Sequence, residues 1–466
     1  MVHCWEKHHE GDAYMDRKLT FRETLLISTM LFGLFFGAGN LIFPVFMGRM
    51  AGQAVWKASL GFLLTGVTLP LLSVAAIGLT RSNGLMDLSA KVSRPYSLFF
   101  TCTLYLTIGP CFAIPRCATV PFTVGVSTLV GDGNQTVALL IFSLVFFALV
   151  LLLSLRPGKI LTYVGRILTP VFLLFLAVLV IAALTRPMVS LSETAPLGNY
   201  ESSPFFTGFL DGYNTMDALA GLAFGIVVVT AIRSLGVTEP RRVALSTAGA
   251  GIFSCLFMGL IYMAVTLAGV QSRGLTGECQ NGGEVLAVLA HHYFGKAGAL
   301  LLTVIVTLAC FKTSVGLVTS CAETFVALFP KGPGYKVWAV IFSVVSFLIA
   351  NLGLTAIIAY SVPVLMLLYP LAITLSLMGI TGRWFGHDRR VYGTVTGFTL
   401  VTALPDLIGA LPRETVAQLH LLPVIDFATA YLPLFKLGVG WLCPAVVGLV
   451  VGLIWRRIHL QKTAQS

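Results

Sequence analysis

Gly37-Ala38-Gly39-Asn40-Leu41-Ile42-Phe43-Pro44 lies inside the first long apolar run of this 466-residue chain. Two glycines and an asparagine weaken a helix there, and Pro44 removes a donor and so frees the carbonyl of residue 40. In hydrocarbon every backbone polar group needs an internal partner, so such weakness is tolerated only where protein or a cavity covers it. Freed backbone groups at membrane depth can grip an ion or a zwitterion, which points to transport. Gly33 and Gly37, four residues apart, also fit close helix packing. Packing alone does not account for Asn40 beside Pro44.

The rest of the chain suits that setting. Charged residues make up 11% and hydrophobic residues 57%, with a mean hydropathy of +0.90. A soluble domain carries about a quarter charged residues, so most of this chain is dissolved in a lipid bilayer. The net charge of +11 does not indicate nucleic acid, because the basic residues sit in short clusters between apolar spans. Windows of about 20 apolar residues give twelve expected spans. They are 24–47, 54–79, 97–126, 136–155, 161–185, 205–232, 243–270, 297–328, 337–353, 357–380, 391–410 and 433–455. The first is too long for a signal peptide, lacks a small-residue cleavage site and precedes many others. With the N-terminus inside, 21 Lys and Arg fall on the inner side and 7 on the outer. That bias places both termini in the cytoplasm, as tails 1–23 and 456–466, and fits an even number of crossings. The nine cysteines show no metal-site spacing and read as small buried hydrophobes.

A second interruption, Asp211-Gly212-Tyr213-Asn214-Thr215-Met216-Asp217, falls in the sixth span. Either Asp211 and Gly212 belong to an outer loop with Asp217 as a helix N-cap, or Thr215 and Asp217 lie near the midplane. An ionisable group at the midplane is a functional candidate. The two interruptions open successive sets of five spans, 24–185 and 205–380, leaving 391–455 as an added pair. Odd-numbered units are inverted relative to one another, and breaks at matching positions mark the binding site of such repeats.

Two further spans depart from plain anchors. The third has Tyr105 and then Gly109-Pro110 to Pro121, three prolines in twelve residues, which must bend or open it. Arg116 within it reads as a structural group or as a substrate contact. The eighth carries Lys312-Thr313-Ser314. Adjacent hydroxyls suit sodium, which prefers hard oxygen ligands, or they bond back to the preceding helical turn. The Lys312 ammonium can occupy the place of a bound cation, or face away and pair with an acid. Asp406 and Glu323 read as structural.

Together, the 37–44 stretch, the run from Gly109 through Arg116 to Thr119, and the run from Lys312 to Glu323 resemble the bacterial branched-chain amino acid carrier (LIV-II) family, over about residues 20–455. The resemblance implies an all-α polytopic membrane protein of the leucine-transporter-like fold, with 12 transmembrane helices. These form a five-plus-five inverted repeat, discontinuous in helices 1 and 6. It implies a cation-coupled importer of leucine, isoleucine and valine in the bacterial cytoplasmic membrane, with no catalytic residues and no obligatory protein partner. Phe36, Gly37, Ala38, Gly39 and Asn40 would surround the substrate, with freed N–H groups receiving its carboxylate. Asn214, Thr215 and Asp217 would complete the pocket, and Tyr105 would supply a hydroxyl-bearing wall. The one bound ion implied is sodium, held by backbone carbonyls of Gly33 and Phe36 with the hydroxyls of Thr313 and Ser314. Lys312 departs from the small hydroxyl or apolar residue expected there. It opens the alternative of a proton-coupled or sodium-independent cycle for other small neutral amino acids, with sodium ahead because both hydroxyls remain.

Overall fold

The computed structural model describes residues 19–130, 134–155, 160–275 and 278–465. The expected N-terminal tail up to residue 18, the basic residues Arg156 and Lys159, and the side chain of Arg166 lie outside what is described. Among the described residues all regular elements are helical.

Thr20 starts helix α1 (Phe21–Phe35) through a capping box, its N–H donating to Glu23 Oε2 at 2.9 Å while its hydroxyl accepts from the Glu23 N–H. At Phe36 the backbone becomes extended (φ −75°, ψ 102°), and α2 resumes only at Gly39 and runs to Ala51. Pro44 lies inside α2, so the chain opens upstream of the proline, at the glycines. Helices α3 (Val55–Leu63) and α4 (Leu69–Leu79) follow as one nearly continuous run. The third span opens as its prolines require: α5 (Arg94–Leu106) and α6 (Ala113–Pro121) are parted by a wide turn in which Gly109 leaves helical geometry (φ −99°, ψ −124°). Helices α7 (Gln135–Ser154) and α8 (Ile160–Thr185) complete the first half.

The second half begins with α9 (Pro204–Asp211), which tightens into a 3₁₀ turn over Gly212–Thr215. Met216 then takes a left-handed conformation (φ 62°, ψ 13°) before α10 (Asp217–Ser234). A non-glycine residue held there stores local strain. Asp211 and Gly212 are therefore helical rather than loop, and Asp217 is the first residue of the following helix. Then come α11 (Pro240–Gln271) and α12 (Gly282–Leu328). The latter is broken at Gly295 (φ 62°, ψ −160°), where only glycine fits without strain. The chain ends with α13 (Tyr335–Ala350), α14 (Leu354–Thr381), α15 (Arg389–Gly409), α16 (Leu422–Tyr431) and α17 (Leu442–Gln465).

Among the described residues, nine helical runs are long and apolar enough to cross a membrane, and Leu173–Thr185 and Tyr335–Ala350 are apolar but shorter. The first expected span is not among the nine for a physical reason. The break at 36–38 cuts the first span into helices of 15 and 13 residues, and the second piece runs on toward Leu79. An exposed belt of apolar side chains, such as Leu152, Leu256, Leu260 and Val401, suits contact with lipid rather than water.

The two broken helices sit side by side. α2 packs on α11 and on the 212–215 turn, α10 packs on α4, and α9 packs on α3. The α2–α11 contact depends on glycine at both positions of closest approach: a methyl on Gly48 would lie 1.9 Å from the Thr266 carbonyl oxygen, and one on Gly269 2.0 Å from that of Val45. α15 packs on α14 and α17, to one side of the breaks.

Candidate functional site

The breaks meet at a cavity of about 80 Å³. Phe35 to Asn40 line it from the first break, Thr215, Met216, Asp217, Ala220 and Phe224 from the second, Ile108, Ala113, Arg116 and Cys117 from α5–α6, and Thr313 and Leu317 from α12. Most of this surface is apolar, and the volume is far below that of a drug-sized pocket.

Asn40 organises its polar end. The amide Oδ1 accepts from the Gly37 N–H at 2.8 Å, so the side chain caps the opened backbone just before it. The amide nitrogen donates to Asp217 Oδ2 at 2.6 Å and also contacts the Tyr262 hydroxyl, which itself donates to Asp217 Oδ2 at 3.0 Å. All three residues are nearly fully buried. One side chain thus ties the first break to the second and both to α11. The Asp217 N–H is supported by Thr215 Oγ1 at 3.4 Å.

Arg116 braces the second break from α6. Its Nη1 donates to the Asn214 carbonyl at 2.8 Å, its Nη2 reaches Met216 Sδ at 3.0 Å, and its guanidinium lies over the Phe43 ring at 5.3 Å. The left-handed Met216 is thereby held on both sides by one cation.

The remaining candidates divide clearly. Phe36, Gly37, Ala38, Gly39, Asn40, Thr215, Asp217 and Thr313 share the cavity. Tyr105 does not: its hydroxyl donates to the Ala223 carbonyl at 3.1 Å, because the opening after α5 turns it toward α10. Asn214 contributes its backbone to Arg116 and its side chain lies away from the cavity. Gly33 and Ser314 are also off the wall, so the expected four-residue ion set does not converge here; only Phe36 and Thr313 do. The Thr313 hydroxyl donates to Ala309 O at 3.1 Å, the back-bonded alternative, whereas the fully buried Ser314 hydroxyl has no oxygen or nitrogen partner among the described residues. Lys312 is half-buried, lies off the cavity wall, and forms no ion pair with a described residue. Tyr262 and Met216 are site residues that the sequence did not mark. Tyr262 stands in an ordinary apolar run with no neighbouring glycine–proline signal.

Known proteins agree with this architecture. A family model described as "Branched-chain amino acid transport protein" matches residues 20–459. The chain is 51% identical to the branched-chain amino acid permease BrnQ of Lactobacillus delbrueckii subsp. lactis, over 93% of this chain and 96% of that protein. It is 41% identical to BrnQ of Bacillus subtilis, over 94% and 98%, and 38% identical to BrnQ of Escherichia coli, over 97% and 100%. Among solved structures it resembles Mhp1, a nucleobase-cation-symport-1 family transporter, in a closed conformation with bromovinylhydantoin bound. The TM-score is 0.61 at 14% identity, covering 96% of this chain and 95% of that one. The inward-facing conformation of Mhp1 matches with a TM-score of 0.61 at 16% identity, covering 96% and 92%. At such identity the likeness concerns the fold alone, which is the five-plus-five inverted repeat of an all-α, polytopic membrane protein. With the family model matching almost the whole chain, this protein belongs to the branched-chain amino acid transport protein family.

Proposed function

We propose that the protein is a secondary active symporter that imports leucine, isoleucine and valine across the bacterial cytoplasmic membrane by alternating access. It is not an enzyme. The observation that carries this reading is the convergence of both helix breaks on one small, largely apolar cavity whose polar end is built by Asn40, Asp217 and Tyr262. The substrate carboxylate lies at the start of α2, at the Ala38 and Gly39 N–H groups, since Asn40 already holds that of Gly37. The ammonium lies at the second break, toward Asp217 and Thr215. The aliphatic side chain packs against Phe36 and its apolar neighbours. Selectivity among aliphatic substrates is shallow, one methylene being worth roughly 1–3 kcal/mol in an apolar site. Tyr105 and Asn214 belong to the frame around the substrate.

In the same reading the chain crosses the membrane twelve times with both termini in the cytoplasm. The halves 24–185 and 205–380 form the repeat, and 391–455 the added pair; the 21 to 7 split of basic residues supports this orientation. Sodium is the co-transported cation. Thr313, whose hydroxyl has spent its proton on Ala309, keeps lone pairs for a cation, and the Ser314 hydroxyl, with no oxygen or nitrogen partner among the described residues, completes a set with Phe36 and Gly33 after a modest repacking of α12. One observation favours a second reading, in which a proton replaces sodium: Lys312, beside Thr313, has no carboxylate partner among the described residues. Leucine uptake into proteoliposomes, with sodium replaced by choline at two external pH values, separates them. Uptake that ignores sodium and rises at low external pH overturns the sodium reading. Lys312→Thr is then expected to restore sodium dependence.

A further inference from the structure

The transport reading leaves one charge in the cavity wall without a function. Arg116 is only 4% exposed, and it lines the cavity from α6. Of its five N–H donors two are used among the described residues, one on a carbonyl and one on a thioether, which is a weak acceptor; Nε has no partner among them. No carboxylate among the described residues lies within ion-pair distance of it. The Asp217 carboxylate of the same cavity acts on it from beyond that distance, so the buried cation has no direct carboxylate partner among the described residues, and a ligand carboxylate would supply one.

The position of the guanidinium is equally informative. Its Nη1 bonds the Asn214 carbonyl at 2.8 Å, and a methyl built on Gly39 would lie 3.6 Å from that same oxygen. The Arg116 fork and the first residue of α2 therefore share one neighbour. Ala38 and Gly39 make no hydrogen bond through their N–H groups to described residues, and Ala38 offers no side-chain cap. An anion at this point meets the N-terminal end of a 13-residue helix and a guanidinium together. A planar fork also matches a carboxylate in two parallel bonds, which a lysine cannot do.

We propose that Arg116 is a substrate-binding residue that takes the carboxylate of the transported amino acid, rather than only a brace for the second break. This rests on the transport reading above. Its energetic signature is specific to one end of the substrate: loss of Arg116 weakens ligands that carry a carboxylate and spares those that do not.

The test is competition against radiolabelled leucine on the purified full-length protein, with leucine and leucinamide as probes. At pH about 6.5 the amide keeps its α-ammonium but has no carboxylate. Wild-type protein is expected to bind leucine at least roughly tenfold more tightly than leucinamide, the worth of a charge-assisted hydrogen bond. In Arg116→Gln leucine weakens by a similar factor, leucinamide changes by less than about twofold, and the ratio collapses; Arg116→Lys falls between. A preserved ratio in both variants, with the two ligands weakened together, overturns the proposal and leaves Arg116 as a brace. Wild-type protein that binds leucinamide as tightly as leucine overturns it with no variant needed, which covers a substitution that fails to fold. Absence of leucine binding by wild-type protein overturns the transport reading itself, and so the two failures are distinguishable.

Discussion

Asn40 does three things with one amide. It closes the backbone at Gly37, donates to Asp217 and contacts Tyr262, all in a buried setting. Removing it leaves the Gly37 N–H and part of a carboxylate without partners, at about 1–3 kcal/mol for each group stranded. Asn40→Ala is therefore expected to raise the KM for leucine uptake at least roughly tenfold, whereas Tyr262→Phe, which removes one donor to Asp217, has a smaller effect in the same direction. An Asn40→Ala protein that folds and transports with unchanged KM would sink the site described above. At this scale the sequence was informative where a polar residue stood out from an apolar run: Asn40 and Asp217 are such residues, and both reach the cavity. It was uninformative about direction. Tyr105 and Ser314 have suitable chemistry, but the Tyr105 hydroxyl is spent on the Ala223 carbonyl and Ser314 lies off the cavity wall, and no spacing rule records either. Tyr262 was illegible for the opposite reason, since a tyrosine in an apolar helix has no mark that separates core from site.

The broken helices work as elements because their unbroken parts are held rigidly. Where α2 crosses α11 the backbones approach so closely that Gly48 and Gly269 each face a carbonyl oxygen of the partner helix. Gly48→Ala would drive a methyl to 1.9 Å from Thr266 O, so the helices must separate. The expected cost is about 1–3 kcal/mol, read as a lowered unfolding temperature in detergent. Gly249→Ala in α11 is the matched control, because a methyl there meets nothing within 4 Å, and it is expected to leave the unfolding temperature unchanged or slightly raised. Equal effects from the two substitutions would show that helix propensity rather than the crossing sets the outcome. The presence of these elements could be read from apolar runs and their glycine and proline interruptions. Their count could not be read as simply, since a span cut at 36–38 yields two helices each too short to cross alone.

At the scale of the whole molecule, the segment between α8 and α9 joins the ends of several helices. Its backbone is stitched to neighbouring helix ends: the Leu197 N–H donates to Met50 O at 2.8 Å, and the Gln53 N–H to Thr194 O at 2.8 Å. Gln271 Oε1, at the end of α11, accepts from the Met188 and Val189 N–H groups at 2.7 and 3.1 Å. Arg49, at the end of α2, donates to the Ser272 carbonyl at 2.7 Å. In the proposed orientation, with the termini in the cytoplasm, this seam lies on the outer side, and outward opening must break these bonds while the packed helix pairs move as bodies. Gln271→Ala removes the acceptor of two backbone donors without touching the cavity. At about 1 kcal/mol net per bond, it should shift the population toward outward-open states by roughly 5-fold to 30-fold, as the effect of one or of both bonds is realised. Cys117, a buried thiol in the cavity wall, reports that shift directly. In Gln271→Ala a membrane-impermeant maleimide added from outside is expected to modify Cys117 several-fold faster than in wild type, with leucine at saturating concentration slowing both. Labelling is scored by peptide mass spectrometry so that Cys279, which lies near Arg49 at the same ends of these helices, is counted separately. An unchanged Cys117 rate would mean that the seam does not gate the cavity, and that outward opening is limited by the helices themselves.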